Sequence, residues 1–141
     1  LNQKRGNGQF KLPASIMYTE RISVTDKAKE VIDQLREKHG DLMFHQSGGC
    51  CDGSAPMCFK KGEFIVGSID LSLGTIHGCE FFMAEDQFEY YKYSHITIDI
   101  CQGRGSSFSL EIPLGLRFMT VSRILTNDEY KSLRPPEHKY R

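Results

Sequence analysis

The chain carries one long helical pattern and is cut after it into short strand-like pieces. Ala28, Val31, Ile32 and Leu35 recur at three- and four-residue spacing and so share one helix face. Thr25 or Ser23 can cap its start, Asp26 suits the positive first turn, and Lys38 and His39 suit the last. Gly40 offers a left-handed stop. Beyond it the apolar segments alternate or run briefly between Gly, Pro, Asn and Asp turns. We read strands at 42–46, 63–66, 70–74, 76–83, 95–101, 108–112 and 116–124, and a short helical turn at 85–91. The strand 95–101 should form a hairpin with 108–112 through Gln102-Gly103-Arg104-Gly105-Ser106. Thr126-Asn-Asp-Glu129 is a capping box for a short terminal helix. Six or so strands with one N-terminal helix predict an α+β domain, small, β-rich and mostly antiparallel.

At 141 residues the chain can bury a core as one domain. Residues 1–12 read as a flexible arm or an expression remnant, 13–134 as one globular domain, and 135–141, with Pro135-Pro136, as a loop-like tail. Eighteen basic side chains balance eighteen acidic ones, which removes the general attraction to nucleic acid or anionic lipid. No segment is long and apolar enough to predict a membrane span, and a cytoplasmic location is the simplest expectation. Alternating strands in a small chain leave edges to protect, and a homodimer is the expected solution.

The chemistry concentrates in His45-Gln-Ser-Gly-Gly-Cys50-Cys51-Asp52-Gly-Ser-Ala-Pro-Met-Cys58. Five cysteines is an odd number, and three of them fall within nine residues. That clustering points to metal or redox chemistry more than to disulfide stapling. Gly48, Gly49 and Gly53 permit sharp turns that could fold Cys58 back beside Cys50 or Cys51. The expected metal ligands are Cys50, Cys51, Cys58 and His45, a thiolate–imidazole set that suits zinc or iron. An iron–sulfur cluster would need about four thiolates, shared across a dimer. The Cys-Cys-x6-Cys spacing differs from the Cys-x2-Cys pairs of zinc ribbons. For His45, ligation competes evenly with a hydrogen-bonded structural imidazole. Cys79 and Cys101 lie in apolar strands and read as core filler, and His77 and His95 as ordinary sheet residues. Phe88, Tyr90, Tyr91 and Tyr93 read as packing, and Arg104 as an exposed hairpin tip. The loop should follow a strand paired with the strand His95–Cys101, so that side chains of both converge.

The run from Leu42 to Cys58 resembles the signature of the domain-of-unknown-function 779 family of bacterial proteins. Gln87-Phe88-Glu89-Tyr90, Gly103-Arg104-Gly105 with Phe108-Ser109-Leu110-Glu111, and Arg117-Phe118 are similar to it as well. The resemblance spans about residues 22 to 130. Genes of that family often neighbour aldehyde or alcohol dehydrogenase genes, which implies a dehydrogenase as partner and fixes no reaction. A more distant resemblance is to the A-type iron–sulfur carrier fold. Ser47-Gly48-Gly49-Cys50 stands where those carriers have Gly-Gly-Cys after a strand, and Ile98-Asp99 and Gly105-Ser106-Ser107-Phe108 are similar to two of their later segments. The carriers end in a Cys-Gly-Cys, and this chain has no cysteine after Cys101, so only Cys50 carries over as a ligand.

Three functions follow as expectations. The first is a metal-binding accessory protein. The second is a thiol-dependent redox enzyme with Cys50 or Cys51 as nucleophile, Cys58 as resolving thiol and His45 as activating base. The third is a regulatory subunit with a structural cysteine loop.

Overall fold

The computed structural model describes residues 18–46, 55–103 and 109–139. Among the described residues eight strands form two sheets around one shared core, with three α-helices between or beside them. In chain order they are β1 (Ile22–Val24), α1 (Asp26–His39), β2 (Leu42–Gln46), β3 (Met57–Lys60), β4 (Asp70–Ile76), β5 (Cys79–Ala84), α2 (Glu85–Tyr91), β6 (Ser94–Gln102), a 3-10 turn (Ile112–Leu114), β7 (Leu116–Ile124), α3 (Asn127–Lys131) and β8 (Glu137–His138). The fold is α+β and mostly antiparallel: β2–β3, β4–β5, β4–β8 and β6–β7 run antiparallel, and β1–β6 and β2–β5 parallel.

Helix α1 forms as its sequence dictates. Thr25 accepts from the Ala28 N–H, Asp26 sits in the first turn, and Gly40 closes the helix at φ 84°, donating to the Arg36 carbonyl. Its apolar face, Ala28, Val31, Ile32 and Leu35, packs into the core with residues of both sheets. The cap also aims the helix, because the Thr25 hydroxyl donates to Asp99 Oδ1 at 2.8 Å and its N–H to the Ile98 carbonyl.

The five-stranded sheet has the order β3-β2-β5-β4-β8. Period-two alternation gives it a core face and an outer face. Leu42, Phe44, Cys58, Leu71, Leu73, Cys79, Phe81 and Met83 belong to the core. Met43, His45, Met57, Phe59, Asp70, Ser72, Phe82 and Ala84 alternate with them and face outward. The second sheet, β1-β6-β7, turns Ile96, Ile98 and Phe118 to the same core.

Several strand assignments from the sequence are corrected. Residues 63–66 form no strand; the edge ladder beside β2 goes to Met57–Lys60, and Phe64 instead covers the outer face by stacking on His45 and packing on Phe59. The segment 76–83 is interrupted by a turn at His77-Gly78, where φ is 47° and 83°, the paired positive values of a type I′ hairpin. His77 is therefore a turn residue, and Gly74 takes φ 130° beside a bulge within β4. Strand β6 pairs with β7 rather than with 108–112, because Ser109–Leu114 turns through a 3-10 segment stopped by Gly115 at φ 75°. The cysteine loop follows β2, which pairs with β3 and β5; the strand His95–Cys101 lies in the other sheet, so the expected pairing between them is overturned. In the tail, Glu137–His138 adds a short edge strand to β4. Among the described residues no helix is long and apolar enough to cross a membrane.

Candidate functional site

His45 is the penultimate residue of β2, on the outer face and 5% exposed. Its direct neighbours across the strands are Met57 on β3 and Phe82 on β5. Its Nε2 lies 2.7 Å from Oδ1 of Asp70, which opens β4 and is also 5% exposed. Strand β5 separates the two, and the reach across it passes the small side chain of Ala84, the residue paired with Asp70. The second carboxylate oxygen of Asp70 accepts the Gly67 N–H at 2.9 Å. Phe64 stacks over the imidazole with ring centroids 4.2 Å apart.

This geometry assigns the proton on the ring. A carboxylate oxygen accepts, so the contact is an Nε2–H donation to Asp70, and the neutral form of this tautomer holds its lone pair at Nδ1. Nδ1 has no hydrogen-bond partner among the described residues. A buried carboxylate that orients an imidazole in this way serves two kinds of chemistry. It holds a metal-ligating histidine in place, and it holds a general base beside its nucleophile.

The expected ligands are placed unequally. Cys50 and Cys51 lie outside the described residues. Cys58 does not share a side with His45: it pairs with Phe44, faces the core, and is fully buried. The sheet therefore separates these two expected ligands, since neighbouring positions on a strand point to opposite faces. Burial pushes the Cys58 thiol well above its ordinary range, helped by the nearby Glu111. It is held as a neutral thiol, which also disfavours it as a resolving thiolate. Its backbone N–H donates to Ser109 Oγ at 2.7 Å, and the Ser109 hydroxyl donates in turn to the buried Glu111 carboxylate.

Cys79, Cys101, His77 and His95, read from the sequence as core or sheet residues, have structural partners. Cys79 is buried in the core with Arg36 Nη2 donating to its sulfur at 3.2 Å, and burial outweighs that contact to raise the thiol. Cys101 Sγ donates to the Arg117 carbonyl at 3.6 Å. His77 contacts Asp33 at 2.8 Å, and His95 contacts Ser23 Oγ at 2.9 Å. Among the described residues no three His, Cys, Asp or Glu side chains converge as a metal cage.

Asp70 was missed in the sequence. It stands 25 positions from His45, and only the crossing of β5 joins them. Its one local signal is an acidic residue heading the alternating run Asp70-Leu71-Ser72-Leu73, where a buried carboxylate requires a partner.

A family model described as Domain of unknown function (DUF779) matches residues 31–124. The chain belongs to the DUF779 family. The matched span runs from the second turn of α1 to the end of β7, so the DUF779 region holds the whole His45–Asp70 face and the cysteine loop. The strands β1 and β8 and the helix α3 lie outside it. No curated protein matches the chain. The likeness to the A-type carriers rests on short motifs alone, and most of these, 47–53 and 105–108, lie outside the described residues.

Proposed function

We propose that this DUF779 protein is a metal-binding accessory protein whose site is built on His45 together with Cys50 and Cys51, with zinc or iron as the metal. One observation carries the reading: the buried His45–Asp70 pair, with Nδ1 left unbonded by the described residues, immediately before the cysteine loop. A ligating histidine characteristically donates its second ring N–H to a carboxylate, which fixes the ring and raises its basicity. Cys50 and Cys51 follow His45 by five and six residues, at most about 18–22 Å of extended chain, so connectivity permits convergence. Cys58 is left out of the set because of its core position. A two-thiolate, one-imidazole set leaves a position open for water, a second copy or a partner. A homodimer and a dehydrogenase partner belong to the same proposal; the latter rests on the family's gene neighbourhood.

The test is metal analysis of protein purified without chelator. Bound zinc or iron is expected, with a melting temperature that falls when chelator is added. Cys51→Ser and His45→Ala should lower metal content sharply, and Asp70→Asn should weaken affinity about 10–100-fold. Cys79→Ser should leave metal content unchanged. Wild-type protein that is metal-free, folded and indifferent to chelator overturns the reading. Light scattering on the same preparation tests the dimer, and a monomer mass removes it.

The same His45–Asp70 pair favours a second reading, a thiol enzyme in which Nδ1 takes the proton of Cys50 or Cys51. Alkylation near neutral pH separates the two. A reactive thiol that slows in His45→Ala, in protein that carries no metal, supports the enzyme.

A further inference from the structure

The outer face of the five-stranded sheet bears a second feature beside His45. The chain leaves β3 at Lys60, arches over this face and returns at Asp70 as β4. Between arch and sheet lies a cleft of about 620 Å³. Met43 and Phe82 make the apolar floor, and Phe64 and Val66 stand as its wall. Asp41 and Lys61 flank the cleft at the end remote from His45. Neither side chain makes a hydrogen bond or ion pair among the described residues. Both residues are exposed and border the cleft without an ion pair, while Glu80, the third charged residue of the lining, is paired with Lys139 at 3.2 Å and accepts from Ser72 at 2.6 Å.

Size, wall chemistry and charge together narrow the occupant. Small-molecule sites span about 300–1,000 Å³ and combine apolar walls with a few polar groups that fix orientation. An aromatic wall over an aromatic floor suits a flat apolar body. The two unpaired, opposite charges at the rim disfavour a ligand head with net charge, because either sign sets one of them beside a like charge. A head that is neutral overall, uncharged or zwitterionic, meets both.

We propose that the cleft under the arch 61–69 is a binding site for a small amphiphile with a flat apolar body and an overall neutral head. The site does not depend on the metal reading: none of its floor or wall residues is a proposed ligand.

The experiment uses the full chain and prodan, a neutral naphthalene dye whose emission reports apolar surroundings. The protein contains no Trp, so its own fluorescence leaves the dye signal clear. Saturable binding at one site is expected. Val66→Asp sets an unpaired carboxylate in the wall and should weaken binding by about tenfold or more. Thr75→Arg, at an exposed position of the lining, should do the same by filling the space, with circular dichroism showing both variants folded. The anionic naphthalene dye ANS should bind more weakly than prodan. Prodan binding that is absent, or unchanged in both folded variants, overturns the site, and ANS binding at least as tight as prodan overturns the neutral-head requirement.

Discussion

At the scale of single residues, the decisive placement is an imidazole and a carboxylate facing each other over a small side chain. Ala84 is paired with Asp70 on the outer face of β5, and a larger residue there would stand between Asp70 and His45. Asp70 accepts from two donors, His45 Nε2 and the Gly67 N–H, and is almost wholly buried. Asp70→Ala leaves both donors without a partner, at about 1–3 kcal/mol for the buried His45 N–H and less for the part-buried Gly67 N–H. Asp70→Asn keeps an acceptor and should lose less stability while still weakening metal. Urea unfolding of the two variants checks the ranking. Equal stability of Asp70→Ala and wild type would mean the carboxylate is not engaged as described. Cys58 and Cys79 illustrate the opposite residue-scale outcome. Both thiols are pushed up by burial, so they behave as small apolar packing groups with weak polar contacts.

At the scale of elements, the β4–β5 hairpin joins the site to the helix. Its I′ turn projects the His77 carbonyl toward Arg36 of α1, whose Nη2 also reaches the Cys79 sulfur, while the His77 ring contacts Asp33. Helix and hairpin are thus pinned by one guanidinium and one imidazole. Gly78 sits at φ 83°, and a Cβ there would approach Arg36 Nη2 to 3.2 Å. Gly78→Ala should therefore cost about 1–2 kcal/mol from the left-handed backbone alone, with the displaced Arg36 contact adding to it. Thermal unfolding measures this, and a variant as stable as wild type would argue against the I′ assignment. Helix α3 shows an element whose local chemistry is sufficient: Thr126 and Glu129 form the reciprocal capping box, and Arg123 pairs with Glu129 to hold its carboxyl down to about 2.

At the scale of the whole molecule, the two sheets are tied by a polar chain through the core rim. The Cys58 N–H of β3 donates to Ser109, Ser109 to Glu111, and the Phe118 N–H of β7 donates to the other Glu111 oxygen at 3.0 Å. Glu111 is 1% exposed, and burial raises its carboxyl above the ordinary 4.5 against the opposing hydrogen bonds. The native state therefore keeps this proton to higher pH than the unfolded chain does. The contribution to stability is complete below about pH 4.5 and falls as pH rises through the raised native value. Glu111→Gln has no proton to lose and should lack that fall. Urea midpoints measured from about pH 4 to about pH 8 would show it as a flatter profile than wild type. Identical profiles would remove Glu111 as a source of pH dependence.

Short-range patterns were enough for much of this architecture. The spacing of Ala28, Val31, Ile32 and Leu35, the caps Thr25 and Gly40, the capping box at Thr126 and the alternation of His95–Cys101 each encode an element through neighbouring residues, and the structure follows them. The family was legible as well, in the run from Leu42 to Cys58. Strand partnership was not. Phe64-Ile65-Val66 has strand-forming residues, yet Met57–Lys60 takes the ladder beside β2, and Phe64 spends its ring on His45. The expected boundary between the strands 70–74 and 76–83 fell inside β4, where Gly74 accommodates a bulge, and the turn formed at His77-Gly78. Of the candidate site, His45 was legible from its place before the cysteines. Its partner Asp70 and its separation from Cys58 were decided only by which strands lie side by side and which face each residue takes. Local spacing sets what a segment can form; long-range pairing and burial decide which side chains meet.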